Sequence, residues 1–279
     1  MSTVKLDLVT VVSKETNAEI SRFGEALAAT WMRLSPDRRG RTILVSSDAP
    51  PALVELAAAT IQRATSTSPE LVGLASNRGS AHAYNAGFSR SEAPLVALLD
   101  PDGAPDEDLL AQLVETVDAA PDVAAAAARV IGFDAETSSA DVETADVDWV
   151  SAGATVYRRE VFARVGGFDE LFAGYCEDMD YGWRVRAAGW RCLLVGDVVF
   201  RHRTGAAPSF RKSMALTEYM MVWRHIHFSR RVTAKSWLMQ LRIVAGANAE
   251  KRPTVLAGTT VGLLAYLRHI PACERRRSA

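Results

Sequence analysis

The sequence predicts an α/β protein in which a largely parallel central sheet is covered by helices on both faces. Three observations carry this. Strand-like and helix-like segments alternate four times in the first 118 residues, the pattern of successive βα units. The strongest strand candidate, Pro94–Leu99, is apolar and runs into Asp100-Pro101-Asp102, as expected of a buried strand delivering acids to the C-terminal edge where open α/β sheets bind ligands. A second acid cluster, Glu177-Asp178-Met179-Asp180, opens a later helix-like segment.

The elements follow in order. Leu6–Val12 alternates as a first strand. Residues 18–33 form a helix that Gly24 weakens. Thr42–Val45 is a short strand, and Ser47 or Asp48 beyond it is suited to cap a proline-led helix over 51–64. Glu70–Leu74 is the third strand. Asn77-Arg78-Gly79-Ser80 opens a helix over 80–89. After Pro94–Leu99, a helix over 106–118 begins at Asp106-Glu107-Asp108. Residues 122–130 are alanine-rich and read as strand in preference to helix. Residues 132–148 carry six acids and no Lys or Arg and read as an exposed loop. Residues 148–157 read as a strand with a small-residue break. Residues 158–165 form a short helix ending at Gly166-Gly167, and residues 177–188 a helix that Gly189 stops. Arg191–Val195 and Val198–His202 are strand-like. From residue 210 the chain reads as helical, with a break near Pro253.

A length of 279 residues at 48% hydrophobic content accommodates one large core, or a core with an appended lobe. Cys176, Cys192 and Cys273 have the spacing of neither a zinc module nor a disulfide framework, which suggests a reducing, cytoplasmic setting. The N-terminus lacks the apolar region of a secretory signal. No run reaches membrane-spanning length; Val255–Tyr266 comes nearest. The net charge of -1 conceals an asymmetry, because residues 211–279 carry 13 Lys/Arg and 3 Asp/Glu. Tyr219, Met221, Trp223, Phe228 and Trp237 are interleaved with these bases. Three uses of this basic segment stay open: peripheral contact with an anionic membrane, here the inner face of the cell membrane, a cover for the core, or a homo-oligomer interface. No nucleic-acid recognition motif accompanies the charge, so no nucleic-acid partner is expected.

Asp100 and Asp102, spaced i, i+2, share a face, with Pro101 stiffening the turn. Their hard oxygens suit Mg²⁺ or Mn²⁺, although an isolated Asp-Pro-Asp is more often a solvated turn. Glu177, Asp178 and Asp180 fit the first turn of a helix, with Asp180 spaced to pair with Arg184; one of them is alternatively a base for a hydroxyl nucleophile. His202 is a candidate third metal ligand or a surface histidine in a basic turn. Arg201, Arg203 and Lys212 are suited to neutralise phosphate. Asn77-Arg78-Gly79 and Asn85-Ala86-Gly87 bracket a helix, as a phosphate cradle or as simple cap and stop signals. Neither a dinucleotide fingerprint nor a Walker motif nor a G-x-S-x-G elbow is present.

Taken in order, these segments resemble family 2 glycosyltransferases, particularly the bacterial rhamnosyltransferase-like branch. The matching pieces are Thr10-Val11-Val12, the two Asn-containing segments, Leu98-Leu99-Asp100-Pro101-Asp102, Ser151-Ala152-Gly153-Ala154, Arg158-Arg159, Val165-Gly166-Gly167-Phe168-Asp169-Glu170, Tyr175–Asp180 and Val199-Phe200-Arg201-His202. They span about residues 6–205.

The resemblance implies a GT-A fold with a Rossmann-like mixed central sheet flanked by helices and a helical C-terminal extension. It divides the chain into a catalytic domain over 1–208 (nucleotide-sugar half about 1–103, acceptor half about 104–208) and a basic helical region over 209–279. It implies inverting, metal-dependent transfer from a UDP-, dTDP- or GDP-linked sugar to an acceptor hydroxyl, of a natural product or a cell-envelope glycan. By carry-over, Asp102 and His202 contact Mg²⁺ or Mn²⁺. Val11, Asp48, Asn77, Arg78, Asp100, Asp102, Gly153 and Ala154 form the donor side. Asp178 is the catalytic base, supported by Glu177 and Asp180. Two segments depart from the branch pattern. Ser13-Lys14-Glu15 stands where an aromatic-Asn pair is usual, and Val45-Ser46-Ser47-Asp48 replaces a D-N-x-S pattern. The rival readings are a nucleotidyltransferase and a non-catalytic sugar-nucleotide-binding protein.

Overall fold

The computed structural model describes residues 4–133, 143–202, 210–228, 233–235, 237–238 and 253–278. The chain divides into two compact units, one of Met1–Ala173 with Asp178–Thr204, the other of Gly174–Glu177 with Gly205–Ala279.

The first unit is built on one mixed sheet. Its parallel half contains β1 (Leu6–Val12), β2 (Arg39–Ser47), β3 (Glu70–Leu74) and β4 (Leu95–Leu99), in the spatial order β3-β2-β1-β4. Beyond β4 the sheet continues with β8 (Ala154–Arg158), β6 (Val123–Gly132) and β9 (Arg191–His202). β8 is antiparallel to both β4 and β6, whereas β6 and β9 are parallel. The short β5 (Gly103–Pro105) and β7 (Ala145–Val147) lie antiparallel against β9.

Strand alternation explains why both faces are covered. Leu6, Leu8, Leu95, Ala97 and Leu99 pack on one side beneath α1 (Asn17–Arg33), α2 (Pro51–Thr65) and α4 (Leu109–Ala119). Val9, Ile43, Val45, Val96 and Leu98 pack on the other beneath α3 (Ser80–Arg90), α5 (Arg159–Val165) and α6 (Glu177–Ala187). Asp7, buried at the start of β1, accepts from the Arg41, Glu92 and Ala93 amides and the Ser91 hydroxyl, tying three chain segments together.

Local chemistry sets the element boundaries. Thr16 and Glu19 form a reciprocal capping box at the start of α1. The expected side-chain cap on α2 is absent: β2 extends through Ser47, Asp48 turns the chain at φ +58°, and Pro50 takes the cap position. α4 begins at Leu109 because Asp106 is stitched to β9, its amide donating to Val199 O (2.9 Å) and its carboxylate accepting from the Val199 amide (3.0 Å). The two strands expected over 191–202 are one. A register shift sets Ala128 opposite Val195 and Arg129 opposite Val199, so a bulge absorbs Gly196-Asp197-Val198. Within the acidic stretch expected to be a loop, residues 134–142 lie outside the described residues, but Ala145–Val147 is a strand. Arg186 and Arg191 draw Asp146 onto the sheet edge by ion pairs.

In the second unit, α7 (Phe210–His227) and a helical run over residues 253–278 carry the fold. Pro253 opens that run, a position where its missing N–H is harmless. Among the described residues no helix is long and apolar enough to cross a membrane.

Candidate active site

β4 ends on Leu99 and delivers Asp100 to the edge of the sheet where the parallel half meets β8. The Asp100 amide donates to Gly153 O at 2.9 Å. A Cβ at position 153 would collide with the Asp100 carboxylate, so glycine is required there by close approach. Tyr84, from α3, donates its hydroxyl to the Asp100 oxygens at 3.1 and 3.0 Å. Burial, reinforced by the neighbouring Asp102 charge, pushes the Asp100 carboxyl up to about 7, while the Tyr84 hydrogen bond and His202 pull it the other way.

Two residues on, the chain enters β5, where Gly103 pairs with His202 at the end of β9. That register sets His202 beside Asp102, with Nε2 and Oδ2 3.0 Å apart. The other oxygen, Asp102 Oδ1, is buried without a hydrogen-bond partner. A buried carboxylate oxygen left unsatisfied costs stability and points to a missing ligand. Asp102 and His202, a hundred positions apart in sequence, are thus brought together beside Asp100.

The structure adds two residues that sequence reasoning missed. Tyr84 lies midway through the helix between the two Asn segments and carries no motif of its own. Glu15 belongs to the departing Ser13-Lys14-Glu15 segment; its carboxylate folds back onto the Ser13 and Lys14 amides, and its charge acts on Asp100.

The remaining donor-side residues are distributed as follows. Val11 is half-buried on β1, opposite Val45. Asp48 is exposed in its left-handed turn. Asn77 accepts from the Gly79 amide at 3.0 Å, fixing the turn before α3. Arg78 pairs with Glu170 at 3.0 Å, and His82, also 3.0 Å from Glu170, lowers that carboxyl's pKa. An exposed ion pair of this kind contributes at most about 1 kcal/mol, too little to hold Arg78 against an anionic ligand. Asn85 exchanges two hydrogen bonds with the Phe168 backbone, at 2.8 and 3.0 Å, and so docks the Gly-Gly-Phe-Asp-Glu segment on α3. Ala154 corrects an expectation. Its side chain is fully buried in the core cluster because it pairs with Leu99 inside the sheet, so it does not line a cleft.

In the second acid cluster, Asp178 accepts from the Met179 amide at 2.8 Å, and its charge raises the pKa of buried Tyr157, an effect secondary to Tyr157's desolvation. Asp180 is buried and accepts from Arg184 Nε at 2.7 Å. Arg184 in turn donates to Val165 O and Gly167 O, which pins the Gly166-Gly167 turn. Asp180 therefore orders this wall through Arg184. Glu177 is buried and is grouped with the second unit.

Among the described residues, no group of three or more His, Cys, Asp and Glu side chains is arranged to hold a metal ion. Mg²⁺ and Mn²⁺ sites on phosphate substrates commonly use only one or two protein ligands, with water and phosphate supplying the rest. Asp102 and His202, with the unsatisfied Oδ1, fit such a partial donor set.

The profile of Glycosyl transferase family 2 matches residues 20–176, more than half of the chain. The chain belongs to glycosyl transferase family 2. The matched region includes β2 to β4, the Asp100-Pro101-Asp102 edge and the approach to α6. Over 67 residues the chain is 40% identical to the N-acetylglucosaminyl-diphospho-decaprenol L-rhamnosyltransferase of Mycobacterium tuberculosis, an alignment covering 23% of this chain and only 22% of that protein. Among solved structures it is similar to the mannosyltransferase PcManGT from Pyrobaculum calidifontis, in complex with GDP-Man and Mn²⁺, with TM-score 0.66, 15% identity, and 95% and 87% of the two chains covered. It is similar also to S. aureus TarS 1–349 in complex with UDP-GlcNAc, with TM-score 0.59, 13% identity, and 98% and 89% covered. The fold is GT-A: a Rossmann-like mixed sheet flanked by helices, with a helical C-terminal extension.

Proposed function

We propose that this family 2 protein transfers a sugar from a nucleotide-diphosphate sugar to an acceptor hydroxyl with inversion. The observation that carries the reading is the Asp102–His202 pair with its buried, unsatisfied carboxylate oxygen, beside Asp100 at the C-terminal edge of β4. Bound Mg²⁺ or Mn²⁺ would neutralise charge growing on the diphosphate leaving group. Asp102 and His202 would hold that cation. Asp100, oriented by Tyr84 and held close by Gly153, would face the nucleotide-sugar region. Asp178 would take the proton of the attacking hydroxyl, its contribution resting on position. Asp180, through Arg184, would keep the wall beside it in place.

The reading is tested by incubating the chain with UDP-, dTDP- and GDP-sugars, with and without Mn²⁺ or Mg²⁺, and scoring nucleotide diphosphate release dependent on added acceptor. The acceptor panel includes soluble aglycones and lipid-linked diphospho-sugars, and rhamnosyl donors are included because of the mycobacterial relative. Pyrophosphate released from a nucleoside triphosphate would instead mark nucleotidyl transfer. Donor binding without turnover under every metal condition would mark a binding protein.

A further inference from the structure

The chain that follows β7 lies along one face of α6 and carries a tryptophan to which the reaction assigns no role. Asp178, Gly182 and Arg186 are spaced i, i+4, i+8 and share a stripe of that helix. Arg186, at the far end of the stripe, pairs with Asp146, donates to Val147 O at 3.2 Å and reaches Asp148 at 3.3 Å. One turn nearer the N-terminus, a Cβ on Gly182 would strike Asp148 O and the Cβ of Trp149. Residues 146–149 therefore run antiparallel to α6, towards Asp178. The missing side chain at Gly182 lets Trp149 approach the helix within one turn of Asp178, about 5.4 Å along the axis.

Trp149 does not turn inward. Its neighbour Val150 is buried in the cluster of Tyr157 and Tyr181, and the Asp178 charge acts on Tyr157 of that same cluster. Trp149 is left 40% exposed, although tryptophan is highly buried on average. Among the described residues of the first unit, the other exposed large apolar side chains are Met32, Leu71 and Val130, on α1, β3 and β6. Trp149 thus belongs to no apolar patch. The polar groups along its stripe are carboxylates: Asp146, Asp148 and Asp178. Asp148 keeps 70% of its side chain exposed beside Arg186.

We infer that Trp149 is the platform for the acceptor, and that the acceptor lays a neutral saccharide ring on it. The inference rests on the transfer reading, with Asp178 as the base. A pyranose has a C–H face that covers an indole and a rim of hydroxyls that donate to carboxylates. With the ring on Trp149, one hydroxyl would meet Asp178. Its oxygen bonds to the anomeric carbon, the nucleotide diphosphate leaves with the electrons of the broken bond, and the proton goes to Asp178. Trp149 takes no part in these exchanges and acts by selecting and orienting the ring. An alkyl chain would find one indole and no further apolar surface. A phosphate or carboxylate on the stacked ring would face like charge.

The full chain labelled with 5-fluorotryptophan carries six fluorine labels, one per tryptophan, and the signal lost in W149F is that of Trp149. Methyl glycosides of glucose, galactose, mannose, rhamnose and N-acetylglucosamine are titrated in, with 2-naphthol as a planar aromatic comparison. The Trp149 signal should shift saturably with at least one glycoside. With that glycoside as acceptor, W149A should raise the acceptor KM about tenfold and the donor KM by less than about twofold. W149F should recover most of the loss, whereas a purely structural role would move both constants. Glycoside binding at Trp149 without transfer from any nucleotide sugar would end the transfer reading and keep the saccharide site. Transfer with an unchanged acceptor KM in W149A, or no shift with any glycoside, overturns the inference and leaves the transfer reading standing. A shift with 2-naphthol alone also overturns it and assigns the platform to an aromatic acceptor.

Discussion

Asp100-Pro101-Asp102 and Glu177–Asp180 are both short acid clusters next to glycine- or proline-containing turns, yet the fold holds Asp102 and Asp180 in opposite ways. In the first, Asp102 keeps one buried oxygen without a partner, and Asp100 is crowded by burial and by Asp102 until its carboxyl is pushed up to about 7. In the second, Asp180 is fully engaged: Arg184 closes an ion pair at 2.7 Å and ties the wall behind it. A carboxylate under-satisfied by its own chain is poised for a ligand. A satisfied one spends its charge on structure. Asp178, between them in character, accepts from the neighbouring Met179 amide at 2.8 Å and is the member of its cluster proposed to act on a substrate.

The contrast is broken most directly at Asp102. D102N keeps the shape and removes the charge, and turnover should fall on the order of 10³-fold because several kcal/mol of charge stabilisation are lost. Addition of Mn²⁺ with donor should no longer raise the melting temperature. Initial rates and a thermal-shift titration check both. A variant retaining about a tenth of the wild-type rate would remove Asp102 from the reaction. D178N comes next. Loss of a positioned base costs on the order of 10² to 10⁴ in rate, and here the metal-dependent shift with donor should survive. Loss of that shift would move Asp178 to the donor side.

D180N sharpens the other half of the comparison. It strips a largely buried guanidinium of its carboxylate, which costs about 3 kcal/mol. For a chain of this size that is a fall in melting temperature of roughly 6–12 °C. Turnover measured well below the new midpoint should fall far less than in D178N. Equal thermal losses in D178N and D180N would erase the distinction between the two aspartates.

Most of this frame was legible in the sequence because its signals are local. β1 and β3 fall where alternation places them, and α1 starts at the Thr16-Glu19 box. Pairing across the sheet was not legible, since it depends on contacts far apart in sequence. Ala145–Val147 is a strand that pairs with β9, with Asp146 held by Arg186 and Arg191, and β9 is continuous because its bulge is absorbed beside β6. The site divides the same way. Asp100, Asp102 and His202 announced themselves by ordered motifs. Tyr84 reached Asp100 without any motif, and Ala154, expected on the donor side, has its side chain in the core because it pairs with Leu99.

The smallest effect expected is also the most specific to the under-satisfied cluster. Asp100 has its carboxyl raised from the ordinary 3.8 to about 7 in the folded chain. The native state therefore binds a proton there that the unfolded state releases between these values. The resulting stability is fully present below about pH 4 and is lost as pH rises through about 7. D100N carries a neutral amide at every pH and lacks that loss. In buffer free of metal and nucleotide, its melting temperature relative to wild type should climb by a few degrees between pH 5 and pH 8. The same substitution should abolish any stabilisation of the protein by metal and donor at pH 8. A difference that shrinks with rising pH would mean the carboxylate is held comfortably ionised, and the contrast with Asp180 would fail at its donor end.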